Sequence, residues 1–289
     1  MDQFLITLIG GISDGAIYGL VGLGLVIIFR STDVMNFAIA SMALLATYVA
    51  LELHVHGLVL VLALLAGVVL ASLLGVGIRE VLIRPLGEGR LFAALVVAMG
   101  ISIILENLVL NLWGAQPRSF PTLINGTVRI GSWRLQDQRL LAILVACIAM
   151  AAVAYLFTRT PLGAAMRAVA ESPATARVLG IDAQKIARIA WSLGLALAAV
   201  GILLFAPQVG LAPTAMEVVL FRAFAGIFLG GLTSMTGAVV GGLIIGVLDN
   251  MGALYVSASF RDTFVFAIAV LVLLIRPQGL FGRPVFQRV

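Results

Sequence analysis

The sequence predicts an all-α protein. Residues 1–289 form one polytopic transmembrane bundle of about eight or nine membrane segments, some of them half-helices, with short cytoplasmic coupling helices. Three observations carry this. Hydrophobic residues make up 62% of the chain and charged residues 11%, against about 25% charge in soluble domains. Such a chain cannot cover itself with polar surface. Uncharged runs near the roughly 20 residues that cross a bilayer recur along it. Glycines number 31 while aromatics are 8%, which favours helices packed through small residues over a barrel of alternating strands.

The opening MDQFLITLIGG has no basic region or cleavage site and reads as the start of the first span. That span, residues 5–29, carries Gly11, Gly15 and Gly19 at every fourth position, a smooth stripe for a close neighbour. Asp14 lies beside the stripe and near Tyr18. It reads either as facing the bundle interior or as a cap or interface residue. Residues 36–55 form a second apolar segment ending in Glu52, His54 and His56. The two histidines are not at helical metal spacing and read as solvated interface groups, so no metal site is expected. Residues 57–77 give a third span, followed by a basic loop with Arg79, Arg84 and Arg90. Residues 91–113 are a fourth span carrying Glu106, Asn107 and Asn111 near its far end. Residues 114–138 are a long outer loop in which TVRIGSWRL alternates like a short hairpin. Residues 139–157 are the fifth span, with the lone Cys147 inside an apolar run.

Residues 159–188, RTPLGAAMRAVAESPATARVLGIDAQKIAR, are a polar island. Leu162, Met166, Val169 and Ala170 fall at helical spacing and predict one short helix with an apolar face. Arg167 and Glu171 stand four apart and can pair. Ser172 and Pro173 read as a cap and first residue of a second helix, which Gly180 ends in a left-handed turn. Basic loops between spans face the cytoplasm, so the island is expected to be a shaped docking corner there. Residues 189–206 lead out again. In residues 221–249 the glycines fall in GxxxG spacings around the polar break Thr233-Ser234-Met235-Thr236. The pattern fits two short helices meeting near the middle of the membrane, or a plain hairpin packed through glycine. Arg222 is expected to snorkel. Residues 263–275 are a last short segment before the tail arginines Arg276, Arg283 and Arg288. An outside N-terminus and cytoplasmic C-terminus put 12 of the 18 basic residues on the cytoplasmic side. The net charge of +5 is thereby assigned to those loops, not to nucleic-acid binding.

Enzyme chemistry has little material. The single lysine, Lys185, follows no glycine pattern, so a P-loop is excluded, and neither G-x-S-x-G nor H-E-x-x-H occurs. A shaped corner on a chain without an energy source suggests a conduit driven by a partner. A stand-alone secondary transporter also fits the composition, but its buried ionisable relay would rest on Asp14 alone.

Four stretches carry a resemblance. They are GAIYGLVGLGLVIIFRSTDVMNFA, RPLGEGRLFAALVVAMGISIILENLVLNLWGAQPRSFP, TPLGAAMRAVAESPATARVLGID and the run from GGLTSMTGAVVGG to RPQGLFG. In order and over most of the chain, they resemble the permease subunits of branched-chain amino-acid ABC importers. Members commonly continue Asn-Phe-Ala with His-Gly, whereas Asn36-Phe37-Ala38 is followed here by Ile39-Ala40. That departure bears on substrate, since related permeases carry urea, short amides or aromatic acids. The resemblance implies a second permease subunit, two cytoplasmic ATPases that hold the ATP and Mg, a periplasmic binding protein, and a bacterial inner membrane. No cofactor is expected in the chain itself. It also assigns Gly163, Met166, Arg167, Glu171, Arg177 and Gly180 to ATPase coupling. Asp14, Tyr18, Asn36, Thr233, Ser234 and Thr236 are the candidate substrate pathway.

Overall fold

A computed structural model describes residues 2–282, except 88–89, 125, 131–132 and 258–259. The tail residues Arg283 and Arg288 lie outside the described residues. Eleven α-helices make up the described bundle, in the order α1 (Asp2–Thr32), α2 (Ile39–Val55), α3 (Leu60–Ile78), α4 (Leu91–Trp113), α5 (Asp137–Arg159), α6 (Pro161–Glu171), α7 (Pro173–Val178), α8 (Ala183–Val209), α9 (Pro213–Gly230), α10 (Met235–Tyr255) and α11 (Arg261–Ile275). Six of them are long and apolar enough to cross a membrane, and residues Ile39–Val55 and Thr263–Ile275 are shorter apolar helices. The expected hairpin is present outside the bundle, with β1 (Thr127–Ile130) antiparallel to β2 (Trp133–Gln136).

The glycine stripe of α1 organises the interior. A side chain at Gly15 would meet the backbone of Leu243 at 2.8 Å, and one at Gly242 would meet the nitrogen of Gly19 at 2.5 Å. Helices α1 and α10 therefore run antiparallel with their backbones in contact, which only residues without Cβ allow. Gly24 and Gly194 make the same kind of crossing between α1 and α8. These contacts bury α1 almost completely, while α3, α4 and α5 each keep most of one face outward.

Two expectations change here. The break between α9 and α10 is not near mid-bundle. It falls beside the last turn of α1, with Met235 sharing a small crevice with Ile27, Arg30 and Arg167. Helix α10 is then long enough to cross in full. Helices α9 and α10 form the glycine-packed hairpin, in which a side chain at Gly226 would meet the backbone of Gly242 at 2.9 Å. The interrupted element lies elsewhere, at the start of α2. Its 17 residues span only about 25 Å as a helix. Its first turn lies beside Ser102, the middle residue of α4 (Leu91–Trp113). The basic loop after α3 is also revised. Helix α3 continues through a π turn, Arg79–Ile83, and a 3₁₀ turn, Arg84–Leu86. Arg79 is buried and donates to Gln184 Oε1 at 2.6 Å and to Glu80. Its partner on α8 could not be seen from local spacing.

Candidate functional site

The corner between α5 and α8 follows its sequence signals. Thr160 caps α6 by accepting from Gly163 N at 3.1 Å, with Pro161 at the first helical position. Ser172 caps α7 by accepting from Thr175 N at 3.2 Å, with Pro173 placed likewise. Gly180 takes φ +79° just beyond α7, a left-handed conformation that costs glycine nothing. Asp182 opens α8 by accepting from Gln184 N and Lys185 N. The Lys185 and Gln184 amides hold its carboxyl below the ordinary aspartate value.

The six corner residues separate into two groups. Gly163 is buried where a side chain would strike the backbone of Phe157, and Met166 and Val169 are buried against the bundle. These anchor α6. Arg167, Glu171, Arg177 and Gly180 are exposed. No ion pair joins Arg167 to Glu171 among the described residues. With the arginine N-terminal to the glutamate the helical orientation is the weaker one, and exposed pairs gain little. Sequence periodicity missed Val178 and Leu179, which are 86% and 71% exposed at the tip of the corner.

A second polar group is closed. Asp249 of α10 has no exposed surface. It accepts from Arg261 Nε at 2.6 Å and Nη2 at 2.5 Å, a bidentate pair, and Arg222 Nη2 lies 3.3 Å away. Arg222 also donates to the Tyr18 hydroxyl at 3.0 Å, with its guanidinium over the Tyr18 ring. Arg222 is buried, so it does not snorkel. Its counter-charge lies 27 positions on, too far for a local pattern to reveal. Alongside, Asn250 donates to Asp14 at 2.9 Å. Asp14 and Tyr18 are thus both occupied inside the bundle.

The third polar group is open. A cavity of about 190 Å³ lies between the start of α2, the middle of α4 and the first half of α9. Ser41 Oγ donates to Glu106 at 2.7 Å, Ser102 Oγ donates to the same oxygen at 2.9 Å, and Glu217 lines the same cavity. Apolar side chains form the rest of the wall, and no lysine or arginine lines it. From the sequence, Glu106 near the far end of its span reads equally as interfacial or as part of a pathway, and Glu217 carries no signal. Of the six pathway candidates only Asn36 adjoins this cavity, one residue before the lining Phe37. Thr233, Ser234 and Thr236 belong to the α9–α10 turn, where Ser234 caps α10 through Gly237 N at 2.9 Å.

A glycine-packed helical bundle with an intramembrane polar cavity and an exposed corner defines a membrane-embedded transport protein. Residues 7–274 match the family described as branched-chain amino acid transport system / permease component, and the chain belongs to that family. It is 30% identical to the high-affinity branched-chain amino acid transport system permease protein BraD of Pseudomonas aeruginosa, over 99% of this chain and 98% of that one. It is 29% identical to the LivH protein of the same description from Salmonella typhimurium, over 99% and 98%. A probable branched-chain amino acid transport permease protein LivH of Methanocaldococcus jannaschii is 27% identical over 91% and 88%. Among solved structures, PsaBC from Streptococcus pneumoniae in complex with Fab shares the fold, with a TM-score of 0.53 at 15% identity, covering 96% of this chain and 93% of that one.

Proposed function

We propose that this chain is the membrane-spanning subunit of an ATP-driven importer that carries branched-chain or other hydrophobic amino acids across a bacterial inner membrane. A second permease subunit completes the pathway. Two cytoplasmic ATPases, holding ATP and Mg, drive it, and a periplasmic binding protein delivers the substrate. The N-terminus lies outside and the C-terminus in the cytoplasm, because this orientation puts 12 of the 18 lysines and arginines in cytoplasmic segments, where basic loops stay.

The observation that carries this reading is the two-sided corner. Its inner side, Gly163 and Met166, is locked to α5 and to the end of α1. Its outer side offers Arg167, Glu171, Arg177, Val178 and Leu179 around Gly180. A rigid element gripped from below and packed on the central helix transmits displacement to the pathway. Reconstituting the complete transporter with R167E and R177E tests it. ATP hydrolysis stimulated by leucine-loaded binding protein is expected to fall about tenfold, as loss of a desolvated charge contact predicts, with the complex still assembled. Unchanged stimulation in an assembled complex removes the proposal.

A further inference from the structure

We infer that Arg79 and Gln184 form a clamp between the end of α3 and the start of α8, through which α3 moves together with the corner. This rests on the transport reading above and adds the residues through which the corner reaches a wall of the cavity. The clamp begins at the corner itself. Beyond α7, Ile181 N donates back to Ala176 O at 2.9 Å, and Asp182 then caps α8 by accepting from Gln184 N at 2.9 Å. The side chain of the same Gln184 accepts from Arg79 Nη2 at 2.6 Å. Gln184 thus meets the corner's last cap with its backbone and α3 with its side chain.

The end of α3 is built around this contact. The Arg79 side chain is 5% exposed, and Glu80 supplies its counter-charge. Opening the clamp would leave a buried guanidinium short of an acceptor, which is costly. The backbone also departs from a regular helix here. Arg84 N donates to Arg79 O, five residues back, in the π turn Arg79–Ile83, and single π turns are frequent at functional sites. A second contact spans the same two helices, since Arg188 Nε of α8 lies 3.8 Å from Glu80. Above the clamp α3 has little freedom to slide. A side chain at Gly75 would meet Leu195 Cγ at 2.9 Å and Trp191 O at 3.1 Å on α8. One at Gly67 would meet Ala50 Cβ at 3.0 Å and Ala46 O at 3.2 Å on α2. Close-packed interfaces pass a displacement on. Helix α2 places Ala40, Ser41 and Leu44 in the cavity wall, so the corner, α8, α3 and α2 form a continuous chain of contacts to it.

The test uses the complete transporter in proteoliposomes. Import of radiolabelled leucine and ATP hydrolysis stimulated by leucine-loaded binding protein are measured together. Absence of leucine import by the wild type overturns the transport reading and the clamp with it. With wild-type import present, the variants read the clamp alone. Gln184→Leu keeps the approximate size of the side chain and removes the acceptor. It is expected to lower import per ATP hydrolysed about tenfold, the factor that a hydrogen bond to a charged group contributes. Gln184→Glu still accepts from Arg79 and should keep the wild-type ratio. This ratio does not depend on how much of a variant folds, so a merely structural role would not move it. Spin labels at Leu82→Cys and Lys185→Cys, in a Cys147→Ser background, follow the clamp directly. Their separation should be the same in the nucleotide-free and the vanadate-trapped transporter. A ratio unchanged in Gln184→Leu, a ratio equally low in Gln184→Glu, or a separation that changes on trapping overturns the inference.

Discussion

Two places in this bundle gather carboxylates, and they are built in opposite ways: Asp249 is fully buried, whereas Glu106 is half-buried and Glu217 exposed. Around Asp249 the counter-charges come from within the chain. Arg261 binds both oxygens, Arg222 approaches one of them, and Tyr18 links Arg222 back to α1. Around Glu106 the polar company among the described residues is two serine hydroxyls, and Glu217 lines the same cavity. Both sites bring distant segments together. The first joins α1, α9, α10 and α11, whereas the second joins α2, α4 and α9 around a cavity. A closed network fixes helices in register, while an open one is a place for something else to bind.

The largest effect should come from breaking the closed network at its centre. Asp249→Ala leaves Arg222 and Arg261 facing one another without a counter-charge, Arg222 being buried. Removing one member of a buried pair costs about 3–5 kcal/mol, so the purified protein should show a large loss of thermal stability or fail to accumulate. Replacing the buried arginine as well, Arg222→Met with Asp249→Leu, should cost less than Asp249→Ala, because the only arginine then left without its counter-charge is Arg261, which is partly exposed. A double variant as unstable as the single one would mean that the network does more than neutralise Asp249.

Tyr18→Phe should have a smaller effect. It keeps the ring under the Arg222 guanidinium and removes only the hydroxyl, which lies 3.0 Å from Arg222 and 3.4 Å from Asp249. A hydrogen bond to a charged group contributes about 1.5–3 kcal/mol, and the longer of these two contacts contributes little. The expected loss is about 1.5 kcal/mol, read as a modest drop in melting temperature in detergent. No loss at all would place Tyr18 outside the network and return it to the pathway candidates.

What the sequence made legible follows the range of the forces involved. Spans and the corner are local. Apolar length, the Thr160 and Ser172 caps, the prolines after them and Gly180 all act within a few residues, and the structure has them where the spacing puts them. The stripe Gly11, Gly15 and Gly19 was legible as a contact surface, though its partner α10 was not. The two polar sites were mostly illegible. Arg222 finds Asp249 across a helical hairpin and Tyr18 across 204 positions, and no periodicity records such a pairing. The polar run at 233–236 is the capped turn between α9 and α10, and a capped turn and a cavity lining have the same composition. The start of α2 was the more informative break. There Asn36 precedes a helix whose first turn lacks a cap, a signal written as an absence.

The smallest effect on stability completes the contrast. Glu106→Gln with Glu217→Gln removes two carboxylates from the open site, yet folding should be almost unaffected. Neither residue has a basic partner to orphan, the Gln side chains keep the shape, and an amide oxygen still accepts from Ser41 and Ser102. The expected change in unfolding free energy is within about 0.5 kcal/mol, the range of substitutions that break no buried network. Circular dichroism melting of the double variant beside Tyr18→Phe and Asp249→Ala measures all three on one scale. If the double variant melted as early as Asp249→Ala, Glu106 and Glu217 would be holding the bundle together. The distinction between a closed and an open carboxylate site would then fail. If it melts with the wild type, these two charges are not there for folding, and their place in an apolar wall has to be explained by what passes it.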